Sequence, residues 1–178
     1  MVRTVIVALG AIGLLSCGAS NTNEANAAGN RVKASAETRA APAAPLSHDQ
    51  ALSVMKQRND NMKRLGGAAG KVGKTFQSGN PDVGVIKQAA AEIAALAPKL
   101  LSWFPSGTGP EVGKTRAKAE IWQKPEDFAL KAHDFNQAAK DFNEAAQSGD
   151  LGRIKVTFGT MGKSCKACHD LYRAPEKD

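Results

Sequence analysis

From Ser47 onward, apolar and small residues recur every three or four positions, the spacing of one face of an α-helix. Ser47 is a residue type that caps helix N-termini, so helix A is predicted to start there, with His48, Asp49 and Gln50 as its first turn. Its seam reads Leu52, Met55, Asn59, Met62, Gly66, Ala69, Gly73 and Phe76, and Ser78-Gly79-Asn80-Pro81 stops it. Helix B is predicted to take Pro81 into its first turn, to carry Val83, Ile86, Ala90, Ile93, Ala97 and Leu100 inward, and to end near Trp103. Helix C begins near Pro125-Glu126-Asp127 and repeats Phe128, Ala132, Phe135, Ala139, Phe142 and Ala146. Helix D carries Leu151, Ile154, Phe158, Met161, Cys165, Cys168 and Tyr172 in the same register.

The punctuation between these runs sets their order in space. Ser148-Gly149-Asp150 is too short to do anything but fold C and D back on each other as antiparallel neighbours. Residues 104–124, rich in Pro and Gly, are long enough to cross from one hairpin to the other. No segment alternates with period two, so strands are not expected. The pattern therefore predicts an all-α fold, an antiparallel four-helix bundle over residues 46–178.

The chain before residue 46 reads differently. Arg3 precedes an apolar run over residues 5–15, too short for a membrane span and typical of a secretory signal. Leu14-Leu15-Ser16-Cys17 resembles a bacterial lipobox, in which the cysteine is acylated; residues 1–17 are then a signal with Cys17 as the lipidated residue. Ordinary cleavage after Ala25-Asn26-Ala27 is the alternative. Residues 18–45, mostly Ala, Asn, Ser, Thr and Gly with two prolines, cannot bury enough apolar surface to order themselves and read as a disordered tether. The expected location is outside the cytoplasm, on the periplasmic side, held to the cell envelope through Cys17 or else free there.

Composition narrows the partners. A formal net charge of +7 favours anionic partners at long range. No cluster of Lys and Arg with interleaved aromatics is present, so nucleic acid is not expected.

The chemistry concentrates in Cys165-Lys166-Ala167-Cys168-His169. Two thiols three positions apart, followed at once by an imidazole, match the attachment signature of a c-type haem. On one helical turn each sulfur can reach one vinyl group of the same porphyrin. A CxxC also serves redox dithiols and half of a zinc site, but no second Cys/His pair completes such a site, and the βαβ context of thioredoxin-like motifs is absent. The remaining cysteine, Cys17, is the one the lipobox accounts for. The bundle is thus expected to enclose one covalently bound haem c.

A haem motif close to the C-terminus, Arg173 four residues after His169, and four helices resemble the class II c-type cytochromes, the cytochrome c′ and cytochrome c-556 family. Phe104-Pro105-Ser106-Gly107-Thr108-Gly109 and Thr115-Arg116-Ala117-Lys118-Ala119-Glu120-Ile121-Trp122 are similar to that family's inter-hairpin connection. The resemblance implies an electron carrier rather than an enzyme, with His169 as proximal and Met62 as distal iron ligand. Met62 falls at the family's ligand position in Arg58-x-x-x-Met62. Met55 and Met161 are its rivals, and core packing is the other use of a seam methionine. A His/Met pair would stabilise ferrous iron and raise the potential. The alternative is a five-coordinate cytochrome c′ that binds nitric oxide or carbon monoxide. The resemblance also suggests Arg58 as partner of a haem propionate, against a solvated surface charge, and Arg173 as neighbour of the proximal imidazole. Unidentified redox proteins are the expected partners, and a homodimer is a further expectation. His48 and His133 are expected to be solvated, and Trp122 to pack.

Overall fold

The computed structural model describes residues 45–175. The signal, Cys17 and the tether up to residue 44 lie outside the described residues. The described residues form five α-helices in order: α1 His48–Gln77, α2 Val83–Leu96, the single turn α3 Glu120–Gln123, α4 Pro125–Ser148 and α5 Leu151–Tyr172. The four long ones are the expected helices A to D.

Each begins where its local chemistry dictates. Ser47 and Gln50 form a capping box, the Gln50 N–H donating to Ser47 Oγ at 3.3 Å and the Ser47 N–H to Gln50 Oε1 at 2.8 Å. Asp82 caps α2, accepting from the Val85 N–H, so Pro81 lies just outside that helix rather than in its first turn. Pro125 opens α4, where its missing N–H is no loss. Gly149, at φ +77°, closes α4 in the left-handed conformation, and Asp150 at once caps α5.

Two further expectations need correction. The α-helical part of helix B ends at Leu96, and Ala97–Trp103 continues as a 3-10 helix. Pro98 has no N–H to give and crowds the carbonyl four residues back, so the tighter helix takes over. The inward stripe of α1 is also turned by one position. Met55 is buried, and Met62, Ala69 and Phe76 pack against the core as expected, but their companions are Ala51, Arg58, Leu65 and Val72. Leu52 and Asn59 face solvent instead. Two adjacent rows fit the same helical period, and the row containing an arginine is the one pattern reading sends outward.

Packing runs α1 on α2, α2 on α4 and α4 on α5. The core is built from small and large residues in alternation. Ala89, Ala90, Ala139, Ala145 and Ala146 let the helices approach closely, and Ile86, Ile93, Phe142, Ile154 and Met161 fill the space between them. The only extended pairing among the described residues is an antiparallel bridge between Ala117 and Arg173, which ties the end of α5 to the long connection.

Candidate haem-binding site

The CxxCH motif occupies the last two turns of α5. Cys165 and Cys168 are free, half-buried and packed against the hydrophobic core. Burial pushes the Cys165 thiol above its ordinary pKa; burial, with the neighbouring Cys165, pushes Cys168 up to about 11. Both are therefore protonated thiols at neutral pH. His169 is exposed, and its imidazole is held below its usual pKa by partial desolvation of the ring, then by the positive charges of Arg173 and Arg116, with Asp170 opposing. A neutral ring keeps a nitrogen lone pair available to a metal. Lys166 and Asp170 pair at 2.6 Å on the solvent side, an exposed contact of little energetic weight.

Below the motif, the end of α5 is held firmly. The Lys118 N–H donates to the Tyr172 carbonyl at 3.0 Å, the Ala174 N–H to the Arg116 carbonyl at 2.7 Å, and Arg116 Nε to the Ala174 carbonyl at 2.9 Å. Tyr172, 4% exposed, donates its phenol proton to Asp127 in the first turn of α4. Burial first, then that carboxylate, pushes the phenol up to about 12. Its ring meets Phe128 edge-on at 5.2 Å, and Phe128 meets Phe104 at 4.8 Å.

Across the bundle, α1 contributes Met62 and Arg58. Of the methionines among the described residues, Met55 is 7% and Met161 1% exposed, whereas Met62 is half-buried. Met161 belongs to the packed core, and Met55 lies under the connection near Gly113. Met62 is thus the thioether with part of its surface still open, although it too packs against the core. Arg58 is not a solvated surface charge: it is 4% exposed. Its two terminal nitrogens donate to the Trp103 carbonyl (3.4 Å), to Thr108 Oγ1 (3.1 Å) and carbonyl (3.0 Å), and to Thr115 Oγ1 (3.3 Å). Its guanidinium lies 4.9 Å from the centre of Phe104 and 5.5 Å from that of Trp122. Burial lowers its pKa from the ordinary arginine value. No apolar periodicity pointed to Thr108 or Thr115. The signal available was Gly107-Thr108-Gly109, a turn sequence with Gly107 at φ +74°. His48 and His133 are exposed as expected, and the Trp122 indole donates to the Phe104 and Pro105 carbonyls.

These residues fit a covalently held haem. Phe76 of α1 stacks on Phe158 of α5 at 6.3 Å, but α1 and α5 are not among the closely packed helix pairs. A Cβ at exposed Gly162, one turn before Cys165, or at exposed Gly66, one turn after Met62, would meet no atom within 4 Å. The ring pairs Phe142–Phe158 and Phe128–Tyr172 set an antiparallel register that brings Asn136 level with Ser164 and Cys165. The Asn136 Oδ1 is buried there without a hydrogen-bond partner.

The sequence profile of the family described as Cytochrome C′ matches residues 53–173, from α1 through the whole of α5. The chain belongs to the cytochrome c′ family. It is 31% identical over 135 residues to cytochrome c′ of Allochromatium vinosum, spanning 74% of this chain and 85% of that one. It is 33% identical over 120 residues to cytochrome c-556 of Agrobacterium tumefaciens strain B2A, spanning 67% of this chain and 95% of that one. Among solved structures, a cytochrome c′ described as having an unusual ligand-controlled dimer dissociation superposes with a TM-score of 0.66 at 31% identity, over 74% of this chain and all of that one. The chain is accordingly a class II c-type cytochrome, a four-helix bundle with one covalently attached c-type haem. Among the described residues, no helix is long and apolar enough to cross a membrane.

Proposed function

We propose that the chain is a monohaem cytochrome c′ in which His169 is the proximal ligand and the opposite position is open to a small diatomic gas, nitric oxide or carbon monoxide. The observation that supports this is the family match through both α1 and α5, with solved cytochrome c′ bundles as neighbours. It favours gas binding over the six-coordinate His169/Met62 electron carrier expected from the sequence. Met62 has a packing role available, since its side chain already lies against the core.

The haem supplies an iron that can exchange an electron and take up a gas. The chain does the rest. Protonated Cys165 and Cys168 are in the form that adds S–H across a vinyl group to give two thioethers. His169, kept neutral beside Arg173 and Arg116, offers its nitrogen. Arg58, expected as a propionate partner, is a buried cation whose terminal nitrogens the connection already engages. Nothing in this set activates a substrate, so we read it as a binding protein and not as an enzyme.

Carbon monoxide titration of the reduced protein, followed by absorption, tests the reading. A high-spin ferrous spectrum that changes on gas addition is expected. A low-spin spectrum with a sharp α band, insensitive to the gas and converted to high-spin by Met62→Ala, would overturn it in favour of His/Met electron transfer. That second reading is kept because the Agrobacterium cytochrome c-556 relative is matched over almost its full length. Pairing of two copies is part of the proposal, and sedimentation during the same titration checks it. So is export with lipid attachment at Cys17: a Cys17→Ser protein that stays in the membrane fraction would contradict attachment.

A further inference from the structure

Arg58 combines an unusual set of properties: it is 4% exposed, and the four hydrogen bonds from its terminal nitrogens go to neutral oxygens of the connection rather than to a carboxylate. A buried guanidinium satisfied in this way is costly to move, because each lost partner leaves charge without compensation in a poorly solvated place. The connection therefore cannot slide along α1 freely.

One partner extends the line. Thr115 Oγ1, which accepts from Arg58, also accepts from the Ala117 N–H at 3.1 Å. Ala117 is bridged to Arg173, with the Lys118 N–H on the Tyr172 carbonyl and the Ala174 N–H on the Arg116 carbonyl. The Arg173 N–H in turn donates to the His169 carbonyl at 3.0 Å, closing the last turn of α5. A second route runs in parallel: Phe104, under the Arg58 guanidinium, packs on Phe128, which packs on Tyr172.

We propose that Arg58 and Thr115 are positioning residues that link the placement of α1 to the placement of His169 at the end of α5. The link rests on the reading of His169 as proximal ligand for its effect on haem, but not for its effect on the backbone. Through it, a displacement of α1 beside Met62 is felt at the proximal end of the site without passing through the gap between α1 and α5.

The test uses the haem-loaded full chain. Thr115→Val keeps the shape and removes the shared oxygen; Thr115→Ser keeps the oxygen. Arg58→Lys keeps the charge but not the planar fork. Amide hydrogen exchange is measured at Lys118 and Ala174, with Ile154 at the opposite end of α5 as control, and the iron–histidine stretching band of the ferrous form is read by resonance Raman. Thr115→Val and Arg58→Lys are expected to speed exchange at Lys118 and Ala174 by about tenfold, the size of one net hydrogen bond. Ile154 should be unchanged, the iron–histidine band should shift, and Thr115→Ser should restore both. Unchanged exchange at Lys118 and Ala174, an equal increase at Ile154, or faster exchange with an unmoved band would each overturn the link. A wild-type ferrous protein with no iron–histidine band would fail the reading of a five-coordinate iron on His169 instead, and the exchange measurements would then decide the backbone link alone.

Discussion

The two sides of α5 face different surroundings. Toward α4 it is sealed: Ile154 and Met161 are at most 1% exposed, Phe142 packs at a tilt on Phe158 at 5.3 Å, and Tyr172 is tied to Asp127 and Phe128. Toward α1 it is open: apart from the Phe76–Phe158 stack, the two helices are not closely packed. The sealed side carries stability and fixes where the backbone of the CxxCH motif stands. The open side leaves room for a flat apolar group beside the thiols. One helix thus supplies both functions because its two faces are patterned differently.

The contrast can be broken most strongly from the sealed side. Phe142→Ala is expected to cost about 3 to 5 kcal/mol in urea denaturation, the usual range for emptying a fully buried aromatic site; a loss below 1 kcal/mol would mean that α4 and α5 are less tightly packed than described. Tyr172→Phe should cost less, about 1.5 to 3 kcal/mol for a hydrogen bond to a carboxylate. The phenol is raised to about 12 in the folded chain from an ordinary value of about 10. Its contribution is therefore complete below pH 10 and disappears as the pH rises toward 12. Because Tyr172 is the chain's single tyrosine, its ultraviolet titration reports this group alone. Midpoints near 10 in the folded protein, or a wild-type advantage over Tyr172→Phe that persists at pH 12, would contradict the buried pair.

The smallest effect sharpens the open side. Gly162→Ala in a haem-free Cys165→Ala/Cys168→Ala background should gain about 1 kcal/mol or less from better helix propensity, since the added methyl meets nothing. The same change with haem attached should give a smaller gain or a loss if the porphyrin lies against that face. Identical gains in the two backgrounds would place the haem elsewhere.

Much of this was legible along the chain. The spacing of Cys165, Cys168 and His169 pointed to the haem that the family carries, and the seams of α2, α4 and α5 hold, apart from exposed Leu151, because each has one unambiguous apolar row. The reading failed where two rows compete. On α1, Asn59 and Gly66 fitted the period as well as Arg58 and Leu65, and only burial could choose between them. It also missed the attachments of the long connection, because a hydroxyl at Thr115 or a bridge at Ala117 leaves no periodic trace.

By itself, then, the sequence determined that four helices form, that Ser47 caps the first of them, and that the chain carries one covalent haem, since all of these depend on residues close together in the chain. Only the tertiary structure decided that Arg58 lies inside, that Tyr172 finds Asp127, and that α5 is closed toward α4 but open toward α1. The first two outcomes depend on contacts between residues 45 or more positions apart and the third on contacts between helices, whose free energies exist only once the helices have packed.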